Sequence, residues 1–446
     1  MDPTHIASAF VGAGIEGEMI DPSHVDYDRR RRVWNGVADR RPALILRAKT
    51  VGDVVKTVRL AAARGVLLAV RGGGHSLPGL STCDGGIVLD LSLLNAVSVD
   101  PLTRIAEVSG GALLGDVDAA GAPFDLFVPA GVISHTGAGG LTLGGGMGWL
   151  SRRFGLTIDS LLAADIVTAD GQLRTVNANA EPDLFWAIRG GGGNFGVVTK
   201  FYFRMHHIGS VWAGEWTYPA REAAHILPQF RQLAASASRN LTTSFNLTAS
   251  SLSMTAFWSG PIEGAAATIA PFGKFSSEVS GRYGQTTFPD QQRRHDDIVS
   301  WGRRYYAKGG FISDIDDRVV TSLLTATASS PSPECEIYIL QLGGAISDIG
   351  DDATAYTGRA AGYYWIAQPI WDDPAIDDKC FAWGRKAAAQ LTEISLAGNY
   401  VNEQADASSD IAKKAYGASK YGRLSSIKKR FDPGNLFRLN QNILPG

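Results

Sequence analysis

The chain has 446 residues, 45% of them hydrophobic and 19% charged, with a net charge of −2; it is long enough for two or three cores and has no basic excess suited to nucleic acid or an anionic membrane. Three cysteines far apart in sequence, Cys83, Cys335 and Cys380, argue against a disulfide framework or a CxxC metal site and fit a reducing, cytoplasmic compartment. No run approaches the ~18 apolar residues of a membrane span, and the first twenty or so residues lack the basic start of a secretory signal.

In chain order, residues 43–48 read as a strand and 51–64 as an amphipathic helix stopped by Gly65. The apolar run 66–70 reads as a buried strand leading straight into Arg71-Gly72-Gly73-Gly74-His75-Ser76. Three glycines free the backbone for positive φ and close ligand approach. The segment is therefore either a phosphate-cradling loop, its N–H groups forming an anion nest beside the fixed charge of Arg71, or a strand turn with a solvated histidine. Strands follow at 85–92, 104–111 and 166–176, the last a hairpin turning at Asp170-Gly171.

Residues 131–155 hold eight glycines from Gly137 onward, a density that costs backbone entropy and suits a bulky flat ligand against the main chain. A third cluster, 189–205, contains GxGxxG from Gly191 to Gly196, but a dinucleotide-binding reading needs that motif to open a helix, and the strand-like VVTKFYF follows instead. From about residue 207 glycine thins out, and strands at 211–218, 251–260, 334–344 and 362–371 alternate with helical stretches, the last near 374–396. Tyr338, Tyr363, Tyr364, Trp365 and Trp371 make that sheet aromatic; either they pack a core or a period-two row of them faces a ligand. His206 and His207 at a strand end would point to opposite faces, so they do not form a metal pair, and no spacing of His or acidic residues suggests a metal. A basic helix around 416–430 precedes the turn Asp432-Pro433-Gly434-Asn435, and the amides Asn440, Gln441 and Asn442 sit in a tail apolar enough to dock on a core.

Four ordered blocks carry a resemblance across nearly the whole chain: RGGGHS with GLSTCDGGIVLDLS, SHTGAGGLTLGGGMGW, DLFWAIRGGGGNFGVVT and YGRLSSIKKRFDPGNLFRLNQNI. The chain resembles the FAD-linked oxidases of the vanillyl-alcohol-oxidase type, in the berberine-bridge-like branch. The resemblance implies an α+β fold: a two-part PCMH-type FAD-binding domain from residues 1–206 (core about 38–206) and 397–446, around a substrate domain of antiparallel sheet covered by helices at 207–396. It implies FAD bound covalently through His75. Cofactor contacts are expected from Arg71, Gly72, Gly73, Gly74, Ser76, Ser134, Thr136, Gly137, Ala138, Gly139, Gly140, Gly144, Gly145, Gly146, Gly148, Gly196, Val197, Asn440 and Asn442.

The implied reaction moves a hydride from a C–H beside oxygen or nitrogen of a small, aromatic or cyclic substrate to flavin N5, with O2 as acceptor and H2O2 as product. Ala138 stands where the family's residue governing oxygen access stands. A dehydrogenase using another acceptor, or a flavin-binding protein without turnover, are the alternatives. Many relatives add a cysteinyl bond to the flavin four residues before the glycine matching Gly137; that position is Ile133, so a single covalent bond is expected. Several relatives place a tyrosine base three residues after the match of Tyr400; here that residue is Glu403. Glu403 is then a base, supported by Tyr400 and Asn402, or a solvated loop carboxylate with no base required. His135 reads first as a loop histidine satisfying the glycine-rich backbone and second as a catalytic residue.

Overall fold

The computed structural model describes Phe10 and residues 12–446. Short strands β1 (Glu18–Ile20), β2 (Leu44–Arg47), β3 (Leu68–Arg71) and β4 (Ile87–Asp90) form a sheet in the order β1-β2-β4-β3, with β2, β4 and β3 parallel. Helix α1 (Val51–Arg64) packs Val54, Val58 and Ala61 into its core. Thr50 and Asp53 exchange side-chain and backbone hydrogen bonds at its start, a capping box that contributes about 1 kcal/mol, and Gly65 ends it in the left-handed region at φ 62°. This helix has the predicted bounds.

A second, antiparallel sheet runs β5-β6-β10-β8-β9, built from β5 (Val97–Asp100), β6 (Ile105–Ser109), β8 (Leu161–Val167), β9 (Leu173–Asn177) and β10 (Val197–Arg204); the two-residue β7 (Leu126–Phe127) pairs with β11 (His206–His207). The β8–β9 hairpin turns where Asp170-Gly171 predicts it. The strand after Gly196 is β10, which removes the dinucleotide-binding reading of GxGxxG. Helices α2 (Leu114–Gly121), α3 (Ala138–Gly144) and α4 (Pro182–Ile188) border this sheet.

The third sheet has seven antiparallel strands in the order β15-β12-β14-β13-β18-β19-β17: β12 (Val211–Pro219), β13 (Leu241–Leu247), β14 (Ser251–Trp258), β15 (Ser280–Thr286), β17 (Lys308–Ile312), β18 (Glu336–Gln341) and β19 (Tyr363–Gln368). The pair β16 (Arg304–Tyr305) and β20 (Ile370–Trp371) lies outside it. Helices α5 (Ala223–Ala235), α6 (Asp317–Thr327) and α7 (Asp377–Thr392) cover one face, onto which Trp216, Phe245, Met254, Ile337, Ile339, Tyr363 and Trp365 point. Period two sends their alternates to the other face. In register across five strands stand Thr217, Ser253, Asn246, Tyr338 and Ile366, and beside them Glu215, Thr255, Ser244, Leu340 and Tyr364. One face of the sheet is thus a core and the other a largely polar wall.

The C-terminal helix α8 (Ser409–Phe431), broken at Gly417, returns to the first half and buries Ala412, Ala415, Tyr416, Leu424, Ile427 and Phe431 against the second sheet. Lys428 is fully buried: its Nζ is 2.6 Å from the Asp432 carboxylate and donates to the carbonyls of Asn194 and Phe437 at 2.7 and 2.8 Å. Asp432 accepts the backbone N–H groups of Leu436 and Phe437, so the predicted turn is a clamp for the tail. All three cysteines are buried and free. Among the described residues no helix is long and apolar enough to cross a membrane, and no group of three His, Cys, Asp or Glu could hold a metal ion.

Candidate active site

A cavity of about 1010 Å³ begins where the glycine-rich segments meet and runs to the polar wall of the seven-stranded sheet. Its first end is made of backbone: Gly72, Gly73, Gly74, His75 and Ser76 follow β3, Thr136, Gly137, Gly139 and Gly140 lead into α3, Gly192, Gly193, Gly196 and Val197 precede β10, and Asn440 and Gln441 arrive with the tail. Two of these loops cross main chain on main chain. A Cβ on Gly73 would stand 2.3 Å from the nitrogen of Gly137, so neither residue admits a side chain. Gly74 turns the chain at φ 74°, aiming His75 along the cavity.

His75 is held on both sides. Its ring stacks on Trp34 at 4.8 Å and 16°, and Trp34 stacks in turn on Tyr305. Its Nε2 is 2.7 Å from Nδ1 of His135, whose Nε2 lies 3.4 Å from the backbone carbonyl of Asp296. A carbonyl only accepts, so His135 carries its proton on Nε2, its Nδ1 accepts from His75 Nε2–H, and the free lone pair of His75 is on Nδ1. Burial lowers the His75 pKa to about 3, and the neighbouring His135 opposes its protonation as well. The imidazole is therefore neutral and oriented. Ser134 fixes Asp296 through its backbone N–H and its hydroxyl, at 2.9 and 2.5 Å.

Several residues expected at the cofactor lie elsewhere. Arg71 does not face the loop: Asp90, its register partner on β4, pairs with it at 2.8 Å, both side chains 6% exposed, and the charge is spent inside the protein. Ala138 points into the core and donates its N–H to Ala112, so it does not border the cavity. Gly144, Gly145, Gly146 and Gly148 are glycines for packing: the missing side chains are replaced by Asn402, Tyr356, Thr157 and the Ala130 carbonyl. Ser134, His135 and Asn442 also stand behind the wall rather than on it. Ile133 does line the cavity, and none of the three cysteines does.

Tyr400, Asn402 and Glu403 line the cavity together. The Tyr400 hydroxyl accepts from Asn402 Nδ2 at 2.9 Å and from the Gly146 N–H at 3.2 Å, while Asn402 also donates to the Leu141 carbonyl, tying this turn to α3. Burial pushes the Tyr400 phenol up. Burial likewise raises Glu403, to about 7, against the lowering effect of the Tyr364 hydroxyl beside it. Glu403 is thus a half-buried carboxylate lining the cavity and not a solvated loop residue.

Of the five aromatics singled out from the sequence, Tyr338 lines the cavity; Tyr363 and Trp365 serve the helix-side core, Tyr364 packs edge-on against Tyr400, and Trp371 is buried against Tyr306 and Cys380. The remaining wall was not foreseen: Glu215, Ser244, Asn246, Ser253, Thr255 and Glu336. Glu215 lies 3.4 Å from both Arg294 and His295. The signal was present in alternations such as Glu336-Ile337-Tyr338-Ile339, where polar side chains share one face.

The size of the cavity exceeds what a small substrate fills, and its glycine end suits a long flat group bearing phosphates. Positions where a Cβ would meet nothing within 4 Å, Gly140 and Gly193, border it, and the buried Oδ1 of Asn440 has no protein partner. The residues present fit FAD. Fold and site together define a flavoprotein oxidoreductase.

Residues 42–177 match the FAD binding domain family, and residues 399–444 match the berberine and berberine-like family. An FAD-linked oxidoreductase of Dictyostelium discoideum is 31% identical over 451 residues, covering 99% of this chain and 97% of that protein. (R)-6-hydroxynicotine oxidase of Paenarthrobacter nicotinovorans is 29% identical over 453 residues, covering 97% of each chain. The crystal structure of 6-hydroxy-D-nicotine oxidase from Arthrobacter nicotinovorans has a TM-score of 0.90 at 28% identity, covering 97% of this chain and 99% of that one. The chain belongs to the FAD-linked oxidoreductases of the berberine-like family, enzymes acting on CH–OH or CH–NH donors.

Proposed function

We propose that this chain is an oxidase of a small cyclic or aromatic molecule that holds FAD through one covalent bond, from His75, and passes the electrons to O2. The observation that carries the reading is continuity: one cavity joins the glycine cradle, an oriented neutral histidine and a half-buried carboxylate. When bound, FAD supplies the acceptor for a hydride leaving a substrate carbon. The backbone of Gly72–Gly74, Thr136–Gly140 and Gly192–Gly196, with Asn440, holds the cofactor without side chains in the way. His75 offers Nδ1 for the covalent bond because Nε2 is committed to His135. Glu403 takes the proton from the substrate O–H or N–H, and its raised pKa near 7 suits a base that must accept and release a proton near neutral pH. Tyr400 and Asn402 keep the Glu403 turn against α3. Residues 1–206 and 397–446 serve the cofactor and 207–396 the substrate, a division supported by the return of α8 and the tail to the second sheet.

The relatives named as oxidases support O2 as acceptor. The test is mass spectrometry of the intact protein, which should carry one FAD, together with peroxide release during turnover in air. Reduced enzyme that reoxidises slowly in air but quickly with a quinone would make the protein a dehydrogenase.

A further inference from the structure

One carboxylate in the cavity has no part in the chemistry above. Glu336 opens β18 on its polar face, two residues before Tyr338, with Gln368 as its cross-strand neighbour. Asn246, on the adjacent β13, donates to its Oε2 at 2.9 Å and so fixes the carboxylate, leaving the other oxygen free. The charges around it do not balance it. Among the described residues no Lys, Arg or His pairs with Glu336 or with Glu403, and the neighbouring charge that acts on Glu336 is another carboxylate, Glu334. The cavity's cations, Arg282, Arg294 and His295, gather at Glu215: Arg294 and His295 lie 3.4 Å from it and Arg282 is its cross-strand neighbour on β15. Burial accordingly raises Glu336 to about 7. A neutral ligand leaves this carboxylate without an opposite charge, whereas a cation supplies one.

We propose that Glu336, positioned by Asn246, is the specificity residue that recognises a cationic nitrogen in the substrate, and that the donor is therefore a ring-sized amine in preference to a sugar or a neutral alcohol. The proposal rests on the reading of this cavity as the substrate chamber of an FAD-linked oxidase. Tyr338, next on the same face, offers its ring to the same cation. Glu336 anchors and exchanges no proton: the recognised ammonium gives one N–H proton to Glu403 before the hydride leaves its carbon, since only the neutral amine is a hydride donor, and the iminium product restores the positive charge.

The experiment is calorimetric titration of the anaerobic holoenzyme, about one pH unit above the Glu336 value of about 7, with piperidine, protonated under these conditions, and its neutral isostere tetrahydropyran. Wild-type protein should bind piperidinium about tenfold or more tightly than tetrahydropyran, the size expected of a charge pair at a desolvated site. Glu336→Gln should abolish that preference while tetrahydropyran affinity stays within about twofold; Glu336→Ala, checked for native circular dichroism, repeats the measurement without an amide in place. Equal binding of the two probes, or a preference that survives both substitutions, overturns the proposal. The two readings fail separately. Protein that carries flavin but shows no cation preference sinks the role of Glu336 alone, and protein that prefers the cation but carries no flavin sinks the oxidase reading alone.

Discussion

The two ends of the cavity are built from opposite materials. At the cofactor end the wall is main chain, and its residues are chosen for what they lack: Gly73 and Gly137 touch backbone to backbone, and a methyl group on either would push the loops apart. At the sheet end the wall is side chain, a row of Thr217, Ser253, Asn246, Tyr338 and Ile366 standing on strands whose hydrogen bonds do not depend on them. Substitution at the first end changes the fold of the loop; substitution at the second changes only the surface offered to a ligand. A scaffold divided in this way can keep one cofactor while its substrate wall varies.

That contrast predicts a gradient of effects. His75→Ala should give the largest, a complete loss of the covalently attached FAD mass by mass spectrometry; a variant still covalently flavinylated would remove His75 as the anchor. Next comes Gly73→Val, which forces the crossing at Gly137 open and should cost about 3 kcal/mol of stability, read from the urea midpoint of the apoprotein. Glu403→Gln should slow anaerobic flavin reduction about 100-fold. In wild type a base with a pKa near 7 is protonated at lower pH, so the reduction rate should climb with pH to about 7 and then level, and the variant should show no such limb. The same substitution should flatten stability against pH. A carboxylate raised from 4.5 to about 7 in the folded state binds its proton more tightly there than in the unfolded chain, so wild-type stability should fall between those values as pH rises, by about 1–3 kcal/mol in all. The smallest effect belongs to Ser253→Ala, which loses one hydroxyl contact with Thr217 and should change stability by less than about 0.5 kcal/mol while altering substrate KM. A large loss of stability there would erase the distinction between the two ends.

How much of this was legible in the sequence follows the same division. The glycine loops announce themselves because glycine has few other reasons to cluster, and α1 was readable end to end because a capping box and a left-handed glycine are local signals. Glycines inserted to admit a neighbouring side chain look the same in sequence as glycines that admit a ligand. Gly145 and Gly146, filled by Tyr356 and Thr157, were indistinguishable from Gly140 for that reason. Arg71 misled because its partner Asp90 comes nineteen residues later, on a parallel strand whose register no local pattern gives. The link between His75 and His135, sixty residues apart, is equally a product of the loop crossing. At the sheet end β12, β14, β18 and β19 were visible while β13, β15 and β17 were not, and which face meets the cavity depends on where α5, α6 and α7 pack.

The clamp of Lys428 and Asp432 has a consequence for the order in which the cofactor end is assembled. It ties the tail to Asn194, whose side chain donates to the Gln441 carbonyl at 3.1 Å and accepts the Ile443 N–H at 3.0 Å, so the glycine loop before β10 and the end of the chain are secured by the same residues. The first two sheets can pair early, yet one wall of the cofactor end consists of Asn440 and Gln441, which follow the whole of the third sheet in the chain. The cradle is therefore complete only once the segment after α8 has docked on the loop before β10.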